Sequence, residues 1–340
     1  MVERPLIGVT VGDPAGIGPE IVVRALDQAE TSAAVRAVVF ADRIALEQAT
    51  EALHAQVELH AIRSPAEGYF VPGVIDYVEV PALTGPVPWG RISAEGGRAG
   101  FAYLEAAARA ALAGEVLGLA TAPLNKGSLQ AAGVPYIDHT AALAALAGRR
   151  EPMTLFVVRT LRIFFLTRHI AFRQIPDAIT RQGILQALPL CRLYLRQLGI
   201  EEPTMAVAGL NPHSGEQGLF GREEVEVIAP AVQEAQARGW PVVGPVPADS
   251  VFARCLEGRF DGVLSLYHDQ GHIAAKTLDF HGTVSLTMGL EFLRTSVDHG
   301  TAFDIAGQGK ADARAMQAAI RAAAKYAAVV RQRLDLEVPR

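Results

Sequence analysis

The chain has 340 residues, of which 50% are hydrophobic and 20% charged, and a net charge of −5. Such a length and composition build one large or two ordinary domains with a sizeable core, and they exclude a disordered chain. The mild acidic balance carries no long run of one sign, which speaks against a general nucleic-acid surface, and no apolar stretch approaches the ~20 residues of a membrane-crossing helix.

In chain order, short β-rich runs alternate with longer alanine-rich stretches. Residues 5–11 (PLIGVTV) read as a strand, and the loop VGDPAGIGPE then opens a helix over 19–27, with Pro19 in its first turn and Glu20 set against the helix dipole. This loop is neither GxGxxG nor a Walker A. Close approach to a small or anionic ligand and a plain tight turn are both open readings of it. Strands follow at 37–41 and 75–80, then a proline- and glycine-rich loop over 80–97, a helix over 93–113 and a strand at 116–122. A helix is predicted at 140–148. The paired runs 153–158 and 162–167 read as a hairpin, so the sheet is mixed. Helices at 180–198, 222–238 and 311–333 and strands at 204–210 and 262–267 complete an α/β pattern. Cys191 and Cys255 lie far apart without a CxxC and read as buried free thiols. The N-terminus lacks a signal-peptide layout, so a soluble, cytoplasmic protein is the expectation.

Ligands of open α/β sheets bind beyond the carboxyl ends of strands. RIFFLTRH ends at His169, MAVAGLNPH at His213 and GVLSLYH at His268, three of only nine histidines. Each alone is most simply a loop histidine; together they match a three-imidazole site with an open position for a divalent metal. In LSLYHDQGHIAAK, His272 follows His268 by four residues, but Gly271 between them disfavours a settled helix. His268 is therefore assigned to the metal, and His272 to the pocket wall or to a turn. FLRTSVDHGTAFDIAGQGKAD sets His299, Gly300 and Asp304 in a glycine-punctuated turn suited to wrapping a polar ligand. Lys126, Lys276 and Arg294, with His139 and Thr140 of YIDHT, supply the cationic, hydroxyl and imidazole donors that a phosphate needs, although single lysines and arginines are more often solvated charges.

The segments GDPAGIGPE, NPHSGE, YHDQGH and RTSVDHGTAFDIAG resemble, in order and in register, the 4-hydroxythreonine-4-phosphate dehydrogenase family of vitamin B6 biosynthesis and its catabolic relatives. GIGPE and HGTAFDIAGQG also resemble the isocitrate and isopropylmalate dehydrogenase fold, the second its adenine-binding loop. The resemblance spans nearly the whole chain. It implies a two-lobed α/β subunit with a mixed sheet and its active site in the interlobe cleft, and a homodimer with a shared active site. It further implies NAD bound without a Rossmann fingerprint and one divalent metal ion (Zn, Mg, Co or Mn). The implied lobes are 1–125 plus 285–340 on the cofactor side, and 126–284 for metal, substrate and dimerisation.

Carried over residue by residue, the resemblance implies His169, His213 and His268 as metal ligands. It implies His139, Thr140, Lys276, Ser285 and Arg294 as substrate contacts, and Asp13, Gly16, Gly18, His299, Gly300 and Asp304 as cofactor contacts. Lys276, Lys126 and Asp249 are its catalytic candidates, Lys276 serving as a proton carrier or as a phosphate clamp. The chain departs from the biosynthetic pattern at DHTA (138–141) where Gly-His-Thr-Glu is usual, at Ser285 where Asn is usual, and at His272 where Leu is usual. Ser285, His272 and the stretch DFHGTVS resemble the catabolic branch, dehydrogenases of 4-phospho-D-threonate and 4-phospho-D-erythronate. The implied reaction is oxidation of a phosphorylated 3-hydroxy acid and decarboxylation to a ketone such as dihydroxyacetone phosphate. Alternatives are the biosynthetic activity, an aromatic cis-dihydrodiol carboxylate dehydrogenase (a relative lacking the His-Thr pair), a metal-dependent hydrolase, and a noncatalytic metabolite sensor.

Overall fold

The computed structural model describes residues 4–147 and 152–337. The chain begins with β1 (Leu6–Thr10), α1 (Gly18–Leu26), α2 (Ala29–Ala34), β2 (Arg36–Ala41), α3 (Arg43–Leu53), β3 (Glu58–Ile62) and β4 (Val74–Glu79). Then come α4 (Ala94–Leu112), β5 (Gly118–Thr121), α5 (Lys126–Ala131), α6 (His139–Leu146), β6 (Met153–Val158), β7 (Leu161–Phe165), α7 (Ile175–Ala178), α8 (Arg181–Gln197) and β8 (Met205–Ala208). The rest is α9 (Ala229–Ala237), β9 (Val242–Val246), α10 (Ala248–Leu256), β10 (Gly262–Ser265), α11 (His268–Leu278), β11 (Val284–Met288), β12 (Leu293–Ser296) and α12 (Arg314–Gln332). The chain forms two compact units: Met1–Pro152 with Val284–Arg331, and Met153–Thr283 with Gln332–Arg340.

In the first unit the strands run in the order β3-β4-β2-β1-β5-β12-β11. All are parallel except β11, which pairs antiparallel with β12. β5 is buried at every position and β1 at all but its first, the pattern of parallel strands covered on both faces. Val38, Phe40, Leu104, Leu119 and Phe292 share one core with Ala142 and Leu143 of α6. The helix α5 lies against α4, where a Cβ on Gly97 would strike the Ser128 carbonyl. Residues 126–147 therefore pack with this unit, a correction to the lobe boundary read at 125/126. The apolar face of α6 decides it.

In the second unit the order is β6-β7-β10-β8-β9. β6 and β7 form the antiparallel hairpin read from the sequence, and the remaining pairs are parallel. Phe156, Ile163, Phe165, Ala206, Val251 and Val263 centre its core. Both cysteines are free and buried. Among the described residues no helix is long and apolar enough to cross a membrane.

Candidate active site

The three histidines read from the strand ends leave three adjacent strands of the second unit. His169 follows β7, His268 opens α11 after β10, and His213 follows β8, in the sheet order β7-β10-β8 with both pairs parallel. Neighbouring strands lie about 4.8 Å apart, so the three loops emerge side by side at one sheet edge. Hydrogen bonds tie these loops together. Thr167 Oγ1 donates to the Leu266 carbonyl (2.7 Å), and the Gln270 amide accepts from Leu266 N (2.8 Å) and donates to the Gly209 carbonyl (2.8 Å). The rings of His169 and His268 lie 5.9 Å apart. No three His, Cys, Asp or Glu side chains among the described residues already stand in ligating geometry. The donor chemistry fits a divalent cation all the same. The Asp269 carboxylate accepts from Nδ1 of His268 at 2.6 Å, which leaves Nε2 as the nitrogen that a cation could take.

The helix α11 corrects the expectation drawn from Gly271: residues 268–278 are helical, and His268, His272 and Lys276 recur every four residues along one face. The His268 and His272 rings stack at 3.5 Å and 13°, and His272 Nδ1 donates to the His268 carbonyl at 2.8 Å. Gly271 serves packing: a Cβ there would lie 2.6 Å from Phe165 and 2.8 Å from Ile163. Overpacking of this kind costs about 1–3 kcal/mol, against about 1 kcal/mol gained in helix propensity. Gly271→Ala should therefore lower the thermal midpoint, and a higher midpoint in a melting experiment would contradict this close approach. Lys276 is half-buried, with Nζ 5.3 Å from the Phe280 ring centroid. Asp249 lies exposed in the first turn of α10.

His213 sits in an unusual backbone. Residues His213 to Gln217 all have positive φ (52°, 54°, 76°, 41° and 57°), and only Gly215 among them is a glycine. Left-handed conformation costs roughly 1–2 kcal/mol for each residue with a side chain, so this turn persists only because its surroundings impose it.

The first unit carries the phosphate candidates. Arg294 is buried on β12; its Nε donates to Thr121 Oγ1 (2.9 Å) and its Nη1 to Thr287 Oγ1 (3.1 Å). Both partners are neutral, and no carboxylate among the described residues forms an ion pair with it. Burial brings its pKa down to about 10, opposed by the charge of Asp138. His139 is the first residue of α6, which Asp138 caps by accepting from Ala141 N at 2.9 Å. Burial, and then the charge of Arg294, hold His139 well below the usual imidazole range, against a hydrogen bond with the Ala122 backbone. Its buried Nε2 has no protein partner. A buried guanidinium without an ion-pair partner and a helix N-terminus carrying Thr140 have the chemistry of an anion site, and the orphaned imidazole nitrogen beside them can accept from a ligand hydroxyl. Ser285 and Thr287 alternate on β11 opposite Ser296 and Arg294, so all four side chains stand on one face of the pair. Thr121 and Thr287 are contributors that sequence reasoning missed; buried threonines in strands carry no distinguishing signal.

The glycines of the first loop answer largely to the protein's own backbone. A Cβ on Gly18 would strike the Val11 carbonyl, and one on Gly16 would lie 2.9 Å from the Thr301 oxygen. Ile17 N donates to that same oxygen (3.0 Å), so this loop and the 299–309 segment are bound together. Glu20 accepts from Gly307 N and Gly309 N (both 2.8 Å), and Arg24 donates to the Gly309 and Ala311 carbonyls. Asp13 is buried, which raises its pKa; one oxygen accepts from Ala15 N (3.0 Å) and the other has no partner. Gly300 faces open space, and His299 and Asp304 lie at the accessible side of the same turn. That opening, over a segment held rigid from behind, fits a cofactor laid against the turn. Lys126 is exposed at the start of α5.

Residues 33–323 match the family model described as pyridoxal phosphate biosynthetic protein PdxA. A protein of Symbiobacterium thermophilum, provisionally named a D-threonate 4-phosphate dehydrogenase, is 50% identical over 98% of this chain and 99% of its own length. The crystal structure of 4-hydroxythreonine-4-phosphate dehydrogenase from Klebsiella pneumoniae superimposes with a TM-score of 0.88 at 41% identity, covering 95% of this chain and 98% of that one. A terephthalate 1,2-cis-dihydrodiol dehydrogenase from Burkholderia xenovorans is more distant, with a TM-score of 0.63 at 30% identity over 95% and 98% of the two chains. From the match over most of its length and the identity to these relatives, the chain belongs to the PdxA family.

Proposed function

We propose that this protein is an NAD- and divalent-metal-dependent dehydrogenase of a phosphorylated 3-hydroxy acid, of the 4-phospho-D-threonate or 4-phospho-D-erythronate type, that also decarboxylates its product. The observation that carries the phosphorylated substrate is the buried Arg294, which donates only to neutral hydroxyls, beside the orphaned Nε2 of His139. The name of the Symbiobacterium relative supports the choice of acid.

In this reading His169, His213 and His268 hold the cation, which supplies Lewis acidity when bound, as the bound nicotinamide supplies a hydride acceptor. Arg294, Thr140 and the α6 N-terminus bind the phosphate, with Ser285 beside them on β11. His139, neutral and with its other ring nitrogen engaged by the Ala122 backbone, offers Nε2 as an acceptor to a hydroxyl of the substrate. The carbinol carbon loses a hydride to the dinucleotide and its hydroxyl loses a proton to a base. The bond to the carboxylate carbon then breaks, CO₂ leaves, and the carbon left behind takes up a proton. Lys276, two turns beyond His268 on the same helical face, is assigned both proton transfers. Lys126 and Asp13 line the first unit's loops, and His299, Gly300 and Asp304 meet the dinucleotide. A homodimer, with Asp249 reaching the partner's site, is consistent with exposed Phe172, Leu219, Phe220, Ile273 and Phe280 in the second unit. A cytoplasmic location follows from this metabolic role.

A second reading, oxidation of 4-hydroxythreonine 4-phosphate, is favoured by the name of the Klebsiella structure. The test is a substrate panel with NAD and a divalent metal, following NADH absorbance and CO₂ release. It contains 4-phospho-D-threonate, 4-phospho-D-erythronate, 4-hydroxythreonine 4-phosphate and the terephthalate dihydrodiol. Equal yields of NADH and CO₂ from one of the two phosphorylated hydroxy acids are expected. NADH without CO₂ would remove the decarboxylation, and preference for the amino substrate would favour the second reading.

A further inference from the structure

The left-handed turn that presents His213 is backed by a buried carboxylate that no expectation from the sequence had singled out. Glu224 is 2% exposed. Its Oε1 accepts from the backbone N–H groups of Leu210 and Asn211, both at 2.7 Å, and its Oε2 accepts from Asn211 Nδ2 at 2.8 Å. Asn211 Nδ2 also donates to Glu223 Oε2 at 2.6 Å. One carboxylate thus fixes both the chain just ahead of His213 and the side chain of Asn211, whose carbonyl accepts from Ser214 N at 3.0 Å to close the turn.

Two glycines keep room for this clamp. A Cβ on Gly215 would lie 2.7 Å from Glu224 Oε2, and one on Gly221 would strike the Asn211 side-chain amide. The carboxylate itself stands at the first residue of a single π-helical turn, Glu224–Ile228, a local irregularity of the kind that recurs at functional sites. Conformational cost in the turn, space made by glycine and a buried acceptor all converge on the segment 210–215. Nothing in the core of the second unit requires a histidine in this backbone, because His213 is exposed.

We propose that Glu224 is a positioning residue for metal binding: through Leu210 N, Asn211 N and the Asn211 amide it holds the His213 turn in its left-handed form and so sets the imidazole before the cation arrives. This rests on the assignment of His213 as a metal ligand. Glu224→Gln keeps size and one acceptor oxygen, but turns a donor toward a donor at Asn211. Groups that orient a ligand from behind commonly contribute roughly 10- to 100-fold in metal affinity.

The experiment measures Zn²⁺ affinity of metal-stripped protein by competition with a chelating dye, for the wild type, Glu224→Gln and His213→Gly. Amide hydrogen exchange over 209–218 is read in the absence of metal. The clamp requires Glu224→Gln to bind Zn²⁺ roughly 10- to 100-fold more weakly, with faster exchange at Leu210 and Asn211 and an unchanged melting temperature within a few degrees. A melting temperature lowered by much more, with unchanged Zn²⁺ affinity in the folded fraction, marks a structural role only and overturns the proposal. Wild-type affinity in Glu224→Gln together with loss of binding in His213→Gly overturns the clamp and leaves the metal site standing. Wild-type affinity in both variants removes the metal assignment of His213, and the clamp falls with it.

Discussion

Replacing Arg294 by methionine is expected to give a chain at least as stable as the parent that has lost its hold on phosphorylated substrates. The two halves of this result share one cause. The guanidinium is buried and donates to two threonine hydroxyls, neither of which carries charge. A buried ion without an ion-pair partner costs several kcal/mol, here offset only in part by the charge of Asp138, and a methionine of similar length removes that cost. The same charge is what a phosphate would satisfy, with charge-assisted bonds. Removing one partner of such a pair typically costs about 2–5 kcal/mol, so kcat/KM should fall by about 10²–10³-fold, mainly through KM. Arg294→Lys should fall nearly as far, because the compact ammonium lacks the planar fork that spans two threonines and a phosphate. Inorganic phosphate should raise the melting temperature of the wild type and not that of the methionine variant.

The pH dependence follows from the same groups. His139 is held neutral, so it contributes no charge change across the neutral range. Phosphate gains its second negative charge near pH 6, so affinity should rise through that value. Arg294 keeps its proton through this range, so no second limb is expected below pH 9. Steady-state KM between pH 5 and 9 checks this. An Arg294→Met variant that melts far lower and keeps its KM would contradict the anion site.

The second large effect concerns His213. His213→Gly should abolish metal binding and reduce turnover by about 10³-fold or more, since the cation's charge stabilisation amounts to several kcal/mol. The same substitution should stabilise the metal-free fold by roughly 1 kcal/mol, because glycine adopts φ near +52° without the steric cost of a side chain. Opposite signs in one variant distinguish this residue from a structural histidine, whose loss would lower stability and leave metal affinity alone. Chelation of the wild type should copy the loss of activity, with recovery on adding back a divalent cation. Metal analysis, thermal melts and initial rates on one preparation test all three statements.

Much of this site was legible because its signals are local. A histidine at the end of an apolar run needs no tertiary information to be noticed, and His169, His213 and His268 were picked out as candidates that way. The hairpin of β6 and β7 was equally plain, two apolar runs split by Arg159 and Thr160. The strands β3 and β9 were missed because both are only partly buried, with patterns of mixed exposure rather than an apolar run. Around β11 and β12, glycines and charges read as loop, although Arg294 is buried by the sheet itself. Gly271 misled for a physical reason: helix propensity is a matter of about 1 kcal/mol, and packing against Phe165 and Ile163 outweighed it. The glycines of GDPAGIGPE had two open readings, and Gly18 fits the tight turn. Glu224 carried no signal, because GREEVEV reads as the solvated start of a helix, and only the folded chain turns that carboxylate inward.

The account depends most on three loops of adjacent strands meeting around one cation. Titration of metal-stripped protein with Co²⁺, followed by its visible d–d absorption, tests this directly in the wild type and in alanine variants of His169, His213 and His268. The account predicts one tightly bound cobalt per chain and a weakened or altered spectrum in every one of the three variants. Saturation of any of the three with the affinity and spectrum of the wild type would contradict it.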